Sequence, residues 1–161
     1  MSLREARSGD APAIAEIWNQ YIRETAVTFT TAEKTAEGLA RDIVARVAPT
    51  GFFVVEEGGC VLGFATSFPF RSGPGYARSL EHSILLAPGA GGRGLGRALM
   101  TALEDRARAG GAHVLVAGIS GENAGAVAFH AALGFEKVGE MPQVGHKFGR
   151  YMPLVLMQKI L

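Results

Sequence analysis

Between Gly89 and Gly96 the chain reads Gly-Ala-Gly-Gly-Arg-Gly-Leu-Gly, five glycines in eight positions. No other stretch narrows the possible folds as much. Ahead of it lies a run of strand type, from about Ala77 to Leu86. Behind it Leu95, Leu99, Ala102, Leu103 and Arg106 mark a helix that Gly110-Gly111 ends. A strand that turns through glycines into a helix exposes the first helical N–H groups with no side chain in the way, and the helix dipole adds partial positive charge there. That suits a pyrophosphate. The competing reading, a flexible connection that binds nothing, sits poorly with so many glycines between a strand and a strong helix.

Two familiar phosphate motifs fail on context. Gly89 to Gly94 formally satisfies G-x-G-x-x-G, but that fingerprint joins the first strand of a βαβ unit to its helix and needs an acidic residue at the end of the next strand. Here the motif lies mid-chain, and the next strand, His113 to Ile119, runs into Ser120-Gly121. A P-loop needs Lys-Ser or Lys-Thr after its last glycine, where this sequence has Leu95-Gly96.

The remaining elements follow from periodicity. Leu3 to Ala6 reads as a short strand. Asp10 is the expected N-cap of a helix with Pro12 in its first turn and the stripe Ile14, Ile17, Trp18, Tyr21, Ile22. Thr35 caps a second helix with the stripe Leu39, Ile43, Val44, Val47, ended by Pro49 and Gly51. Phe52 to Glu57 and Cys60 to Phe70 form a hairpin around Gly58-Gly59. Asn123 to Leu133 is a helix stopped by Gly134, and Phe135 to Met141 and Tyr151 to Ile160 are a final strand pair. The order predicts an α/β (α+β) fold, a mixed sheet with helices on both faces. A length of 161 residues without repeat or linker predicts a single domain, 1–161.

Composition excludes some partners. Sixteen basic residues against 15 acidic ones leave a net charge of +1, with no basic excess for nucleic acid. Cys60 stands alone, so no intrachain disulfide forms. No signal-peptide core or membrane-length apolar stretch is present, and the expected location is the cytoplasm. His82, His113, His130 and His146 show no ligand spacing, so no metal is expected.

Arg93-Gly94-Leu95-Gly96-Arg97-Ala98-Leu99 resembles the acyl-CoA-binding motif of the GNAT superfamily of N-acetyltransferases, Q/R-x-x-G-x-G/A, with Gly91 where Gln or Arg is usual. Asn123, Ala126, Phe129, His130 and Leu133-Gly134-Phe135 resemble a second signature of that family, His130 standing where Tyr is frequent. His130 and Ser79-Leu80-Glu81-His82-Ser83, with Asn19-Gln20-Tyr21, Thr28-Phe29, Phe70-Arg71, Tyr76, Gly145 to Arg150 and Met157-Gln158, are similar to one branch, the phosphinothricin and methionine sulfoximine acetyltransferases. Gly73 and Pro153 depart from that branch, where a second basic residue and an Asp are common. Pro153 also lacks a ladder N–H, so the last strand is expected to begin late or to bulge.

The resemblance implies a sheet of about seven strands and about four helices, acetyl-CoA as co-substrate, a small-molecule amine as acceptor and a homodimer. It also implies cofactor contacts from Leu85, Leu86, Gly91, Gly92, Arg93, Gly94, Leu95, Gly96, Arg97, Asn123 and Phe129, with Asn123 equally readable as a helix cap. Amine acetylation needs the ammonium proton removed, and Glu81, a carboxylate inside a central strand, is the candidate base; its other reading is an ion pair with Arg78 or Arg71. His82 falls on the opposite face of that strand, as a core histidine donating one hydrogen bond, and ranks second as base. His130 is placed to protonate a leaving thiolate or orient a water, or else simply packs its helix. Cys60 has no neighbouring cation or histidine, which points to direct transfer rather than an acetyl-cysteine. Phe29, Arg71, Tyr76, Arg78 and Lys147 are the candidate acceptor-binding set, with Arg150 also available for a carboxylate. Other amines, or an acyl-CoA-binding sensor without a working base, are the alternatives.

Overall fold

Phe52, Phe53, Val54 and Val55 are all buried, so this strand needs cover on both faces. The computed structural model, which describes residues 1–161, supplies it. A mixed seven-stranded sheet has the order β1-β2-β3-β4-β5-β7-β6. The strands are β1 Ser2–Glu5, β2 Phe52–Glu57, β3 Cys60–Pro69, β4 Ser79–Leu86, β5 Val114–Ser120, β6 Glu136–Lys147 and β7 Arg150–Ile160. The helices are α1 Ala11–Glu24, α2 Ala36–Arg46, α3 Leu95–Ala109 and α4 Ala124–Ala132.

Strand alternation divides the interior into two cores. Phe52, Val54 and Phe64 meet Ile14, Ile17, Leu39 and Ile43 of α1 and α2. Phe53, Val55, Ala65, Leu80 and Leu115 meet Leu95, Leu99, Met100 and Leu103 of α3 on the other side. Each fully buried side chain of this size is worth about 1.5–3 kcal/mol, so both layers are firmly held.

Local details differ from the sequence reading in four places. Asp10 does precede α1 but makes no cap bond; its carboxylate is taken by Arg4, at 2.8 and 2.9 Å, and by the Arg7 N–H. Val44 is 70% exposed and leaves the α2 stripe, which rests on Leu39 and Ile43. Strand β4 starts at Ser79 rather than Ala77, because Pro74–Tyr76 forms a helical turn first. Strand β6 continues past Met141 to Lys147, and the irregularity expected around Pro153 falls on β6 instead. The pairing slips between Met141 and Gly145, opposite Pro153, which has no N–H to give the ladder.

One pairing matters most for the site. Strands β4 and β5 are parallel neighbours only from Ser79–Val114 to Glu81–Val116. Beyond that point β4 stays bonded to β3 and β5 to β7, so the two part and open a wedge in the middle of the sheet.

Candidate active site

Where β4 and β5 separate, the backbone of His82–Leu86 and of Ala117–Ile119 has no strand across the gap, and polar groups in that position require other partners. A cavity of about 280 Å³ occupies the wedge. Trp18, Val27–Thr30, Lys34 and Leu85 line it on the α1 side; His82, Ala126 and His130 line it on the α4 side.

At one end of the wedge the glycine segment turns into α3. Gly89, Gly92 and Gly94 all have positive φ, and Gly94, at φ +78°, is the residue from which α3 starts. A β-carbon on Gly89, Gly91, Gly92 or Gly94 would meet nothing within 4 Å, so the turn is an open cradle. The first N–H bonded back along the helix is that of Ala98, to Gly94 at 3.1 Å; the preceding N–H groups are free for an anion. Gly96 is small for a different reason: a β-carbon there would press on the Phe129 ring at 3.1 Å. Leu95 is buried in the core and offers only its backbone. Arg93 is exposed and pairs with Glu57 at 2.9 Å, and Arg97 is exposed. Leu85 lines the cavity, while the Leu86 carbonyl accepts the Tyr21 hydroxyl at 2.7 Å. Asn123 does both things the sequence allowed: its side-chain oxygen caps α4 through the Ala126 N–H at 3.1 Å, and it lines the cavity.

Glu81 sits at the last β4–β5 pair, half-buried, with no salt bridge to Arg71 or Arg78. Burial pushes its carboxyl above the ordinary range, and Arg71 pulls back through space. Its Oε2 lies 3.5 Å from where a β-carbon of Gly118 would be, so it stands beside a residue of the cavity wall without itself lining the cavity. A carboxylate held there, partly desolvated and unpaired, is equipped to take a proton.

His130 on α4 is buried, as is His82 on β4, and their Nε2 atoms are 2.9 Å apart. Burial first, and then the neighbouring His130, lower His82 to about 3, against a smaller opposing pull from the Val116 carbonyl. Burial also lowers His130, against a smaller opposing pull from the Ala126 carbonyl. The sequence reading of His82 as a core histidine is compatible with this placement, but their direct pairing was not foreseen: 48 positions separate them, and nothing local marks it.

The acceptor set does not assemble as a set. Phe29 is in the cavity wall. Arg71, Tyr76 and Arg78 are exposed on the segment before β4 and do not line it; Arg71 stacks over Phe70, which meets Tyr76 edge-on. Lys147 is only 2% exposed, and its ammonium donates to the carbonyls of Thr25 and Thr28 at 2.7 and 2.8 Å and to Thr28 Oγ1 at 3.4 Å. It has three donors and all are engaged, so it clasps a loop and is not a free cation for a carboxylate. Arg150 is likewise committed, to Glu122 at 2.7 and 3.0 Å. Trp18, with Lys34 4.5 Å above its ring, and Gly118 belong to the site and were missed. Only Thr28-Phe29 pointed in sequence toward that wall.

A profile of the acetyltransferase (GNAT) family matches residues 13–135. An L-amino acid N-acyltransferase of Escherichia coli is 42% identical over 98% of this chain and 92% of its own. The L-methionine sulfoximine/L-methionine sulfone acetyltransferase of Salmonella typhimurium is 40% identical over 98% and 93%. Proteins named phosphinothricin N-acetyltransferase match as well. A Salmonella typhimurium acetyltransferase solved with its cofactor acetyl-CoA superposes with a TM-score of 0.95 at 39% identity, covering all of this chain and 94% of the other.

Proposed function

The chain belongs to the acetyltransferase (GNAT) family, and from that premise we propose that it acetylates the α-amine of a small amino-acid-like compound, of methionine sulfoximine or phosphinothricin type. It is an acetyl-CoA-dependent N-acetyltransferase. The cofactor supplies an activated acetyl thioester. The rest falls to this chain. The glycine turn and the free N–H groups at the start of α3 bind the pyrophosphate, with Gly91, Gly92, Gly94, Gly96 and Leu95 acting through backbone and Arg93 and Arg97 at the rim. The unpaired edges of β4 and β5, including Leu85 and Leu86, take the amide-bearing arm, flanked by Asn123 and Phe129.

The observation that carries the mechanism is Glu81, half-buried and unpaired where the wedge opens, with its carboxyl raised by burial. It serves as the base for the ammonium, directly or through water, and the amine is acetylated without a covalent enzyme intermediate. Cys60 is exposed at the hairpin and does not line the cavity, which supports direct transfer. His130 handles a proton on the α4 side. Phe29 walls the acceptor, and Arg71, Tyr76 and Arg78 guide it at the exposed approach. The single domain spans 1–161 and works as a cytoplasmic homodimer. The exposed apolar side chains of Val138, Met141, Val144 and Tyr151 on β6 and β7, and of Phe148 in the turn between them, support the dimer.

Thiol release from acetyl-CoA against a panel of amino acids, polyamines and peptides tests the reading. Turnover with methionine sulfoximine-like amino acids is expected, and Glu81→Gln is expected to lower kcat by about 10²–10⁴-fold with acetyl-CoA binding kept. Binding without turnover of any amine overturns the enzyme reading in favour of a sensor; full activity in Glu81→Gln removes the base assignment alone.

A further inference from the structure

Lys34 is the one residue of the cavity lining that carries a charge at neutral pH. Burial keeps His82 and His130 neutral, and no carboxylate lines the cavity. The Lys34 ammonium stands 4.5 Å over the Trp18 ring and enters no ion pair. Glu33, the adjacent carboxylate, is taken by Arg23 at 2.6 Å. The backbone of Lys34 is fixed as well: the Asn19 side chain accepts from its N–H at 2.7 Å and donates to its carbonyl at 2.9 Å. A half-buried lysine held in this way has lost much of the freedom of a surface lysine, and the indole leaves it N–H donors for oxygen.

Its place along the sheet says which anion it meets. The Trp18 ring packs on Phe64 at 4.9 Å, and Phe64 pairs across the sheet with Leu85. Leu85 lies on the same face of β4 as Ser83 and Glu81, roughly 13 Å along the strand from Glu81. Glu81 stands where the wedge begins, and Arg71, not Lys34, is the cation that acts on its carboxyl through space. An amino acid with its amine at Glu81 keeps its α-carboxylate beside that amine, on the Arg71 side, while its side chain runs toward Lys34.

We propose that Lys34 selects the acceptor by its side chain: the cavity favours an amino acid ending in an oxyanion, a carboxylate or phosphinate, over one ending in a neutral polar group. This rests on the reading of the chain as an amino-acid N-acetyltransferase with the amine at Glu81, and it separates the acceptor types that reading leaves together. Phosphinothricin ends in a methylphosphinate, which is anionic. Methionine sulfone has nearly the same shape and ends in a neutral methylsulfone. A charge-assisted hydrogen bond is roughly twice as strong as a neutral one, so the two compounds isolate what the ammonium contributes.

Initial rates with both acceptors in wild type, Lys34→Met and Lys34→Arg test the proposal. In wild type, kcat/KM for phosphinothricin is expected to exceed that for methionine sulfone on the order of tenfold, through KM. Lys34→Met keeps the length of the side chain over Trp18 and is expected to erase the preference by raising the phosphinothricin KM alone; Lys34→Arg is expected to keep it. The same acceptor ratio in wild type and Lys34→Met overturns the proposal. So does a rise in the acetyl-CoA KM with that ratio unchanged, which assigns the ammonium to a cofactor phosphate. Calorimetric titration of the two compounds into protein saturated with coenzyme A reads the preference without turnover, and equal or absent binding of both to wild type overturns it. A chain that binds phosphinothricin through Lys34 but acetylates no amine loses the enzyme reading and keeps this one.

Discussion

The wall of the cavity that carries the glycine turn is drawn from one continuous run, β4 into α3, β5 and α4, and its geometry comes from backbone: positive-φ glycines, a helix start and two unpaired strand edges. The facing wall joins pieces remote in sequence. The Val27–Thr30 loop is held by Lys147, whose bonds to Thr25 and Thr28 span 122 and 119 positions, and Phe29 lies so close over Gly145 that a β-carbon there would meet its ring at 2.6 Å. Under the proposed function the first wall holds the cofactor and the second meets the acceptor.

The largest expected effect comes where the two walls meet. Gly118 leaves room beside the Glu81 carboxylate, and a methyl group there would sit at ordinary contact distance, 3.5 Å. Gly118→Ala is therefore expected to stay within a few-fold of wild type, while Gly118→Leu fills the space and lowers kcat by about 100-fold through displacement of Glu81, the proposed base. Steady-state rates with both substrates saturating make the comparison. Equal losses in the two variants would mean that Gly118 matters for backbone and not for room.

Each wall then has its own probe. Gly94 opens α3 in the left-handed region, where a β-branched residue is strained, so Gly94→Val is expected to weaken acetyl-CoA binding by about 10–30-fold, roughly 1.4–2 kcal/mol, and to cost about 1–3 kcal/mol of stability. Calorimetric titration of acetyl-CoA and a urea midpoint measure the two. Lys147→Met keeps the length of the side chain and removes the clasp. Its expected signature is about a tenfold rise in the acceptor KM, with the acetyl-CoA KM unchanged. A rise in the acetyl-CoA KM instead would show that the walls are not independent.

The same contrast explains what could be read before any coordinates. The glycine turn, Thr35 capping α2, the hairpin at Gly58-Gly59 and the α4 cap at Asn123 are local, and residue type alone specifies them. By residue type alone Lys147 reads as a free cation, and only the fold reveals that two loop carbonyls and the Thr28 hydroxyl already hold its protons. Asp10 failed in the same way: its position was right, but Arg4 competed for the carboxylate that would have capped α1. The histidine pair needed β4 and α4 brought together, which no spacing encodes.

The smallest effect separates the walls by acidity. His82 titrates at about 3 in the folded chain and near 6.5 when unfolded, with His130 lowered as well. Between those values the unfolded chain binds protons that the folded one refuses, so stability falls as pH drops below about 6.5, by up to about 1.4 kcal/mol per pH unit for each ring. His82→Leu removes one such site from the cofactor wall. Its urea midpoint is expected to fall less steeply from pH 7 to pH 5 than that of wild type, even if its midpoint at pH 7 is lower from the altered packing. Lys147→Met, acting on the other wall, is expected to keep the wild-type slope over that range, since it leaves both imidazoles in place. Parallel slopes for all three proteins would show that the histidine pair is hydrated or paired in solution and is not the buried neutral couple that the geometry describes.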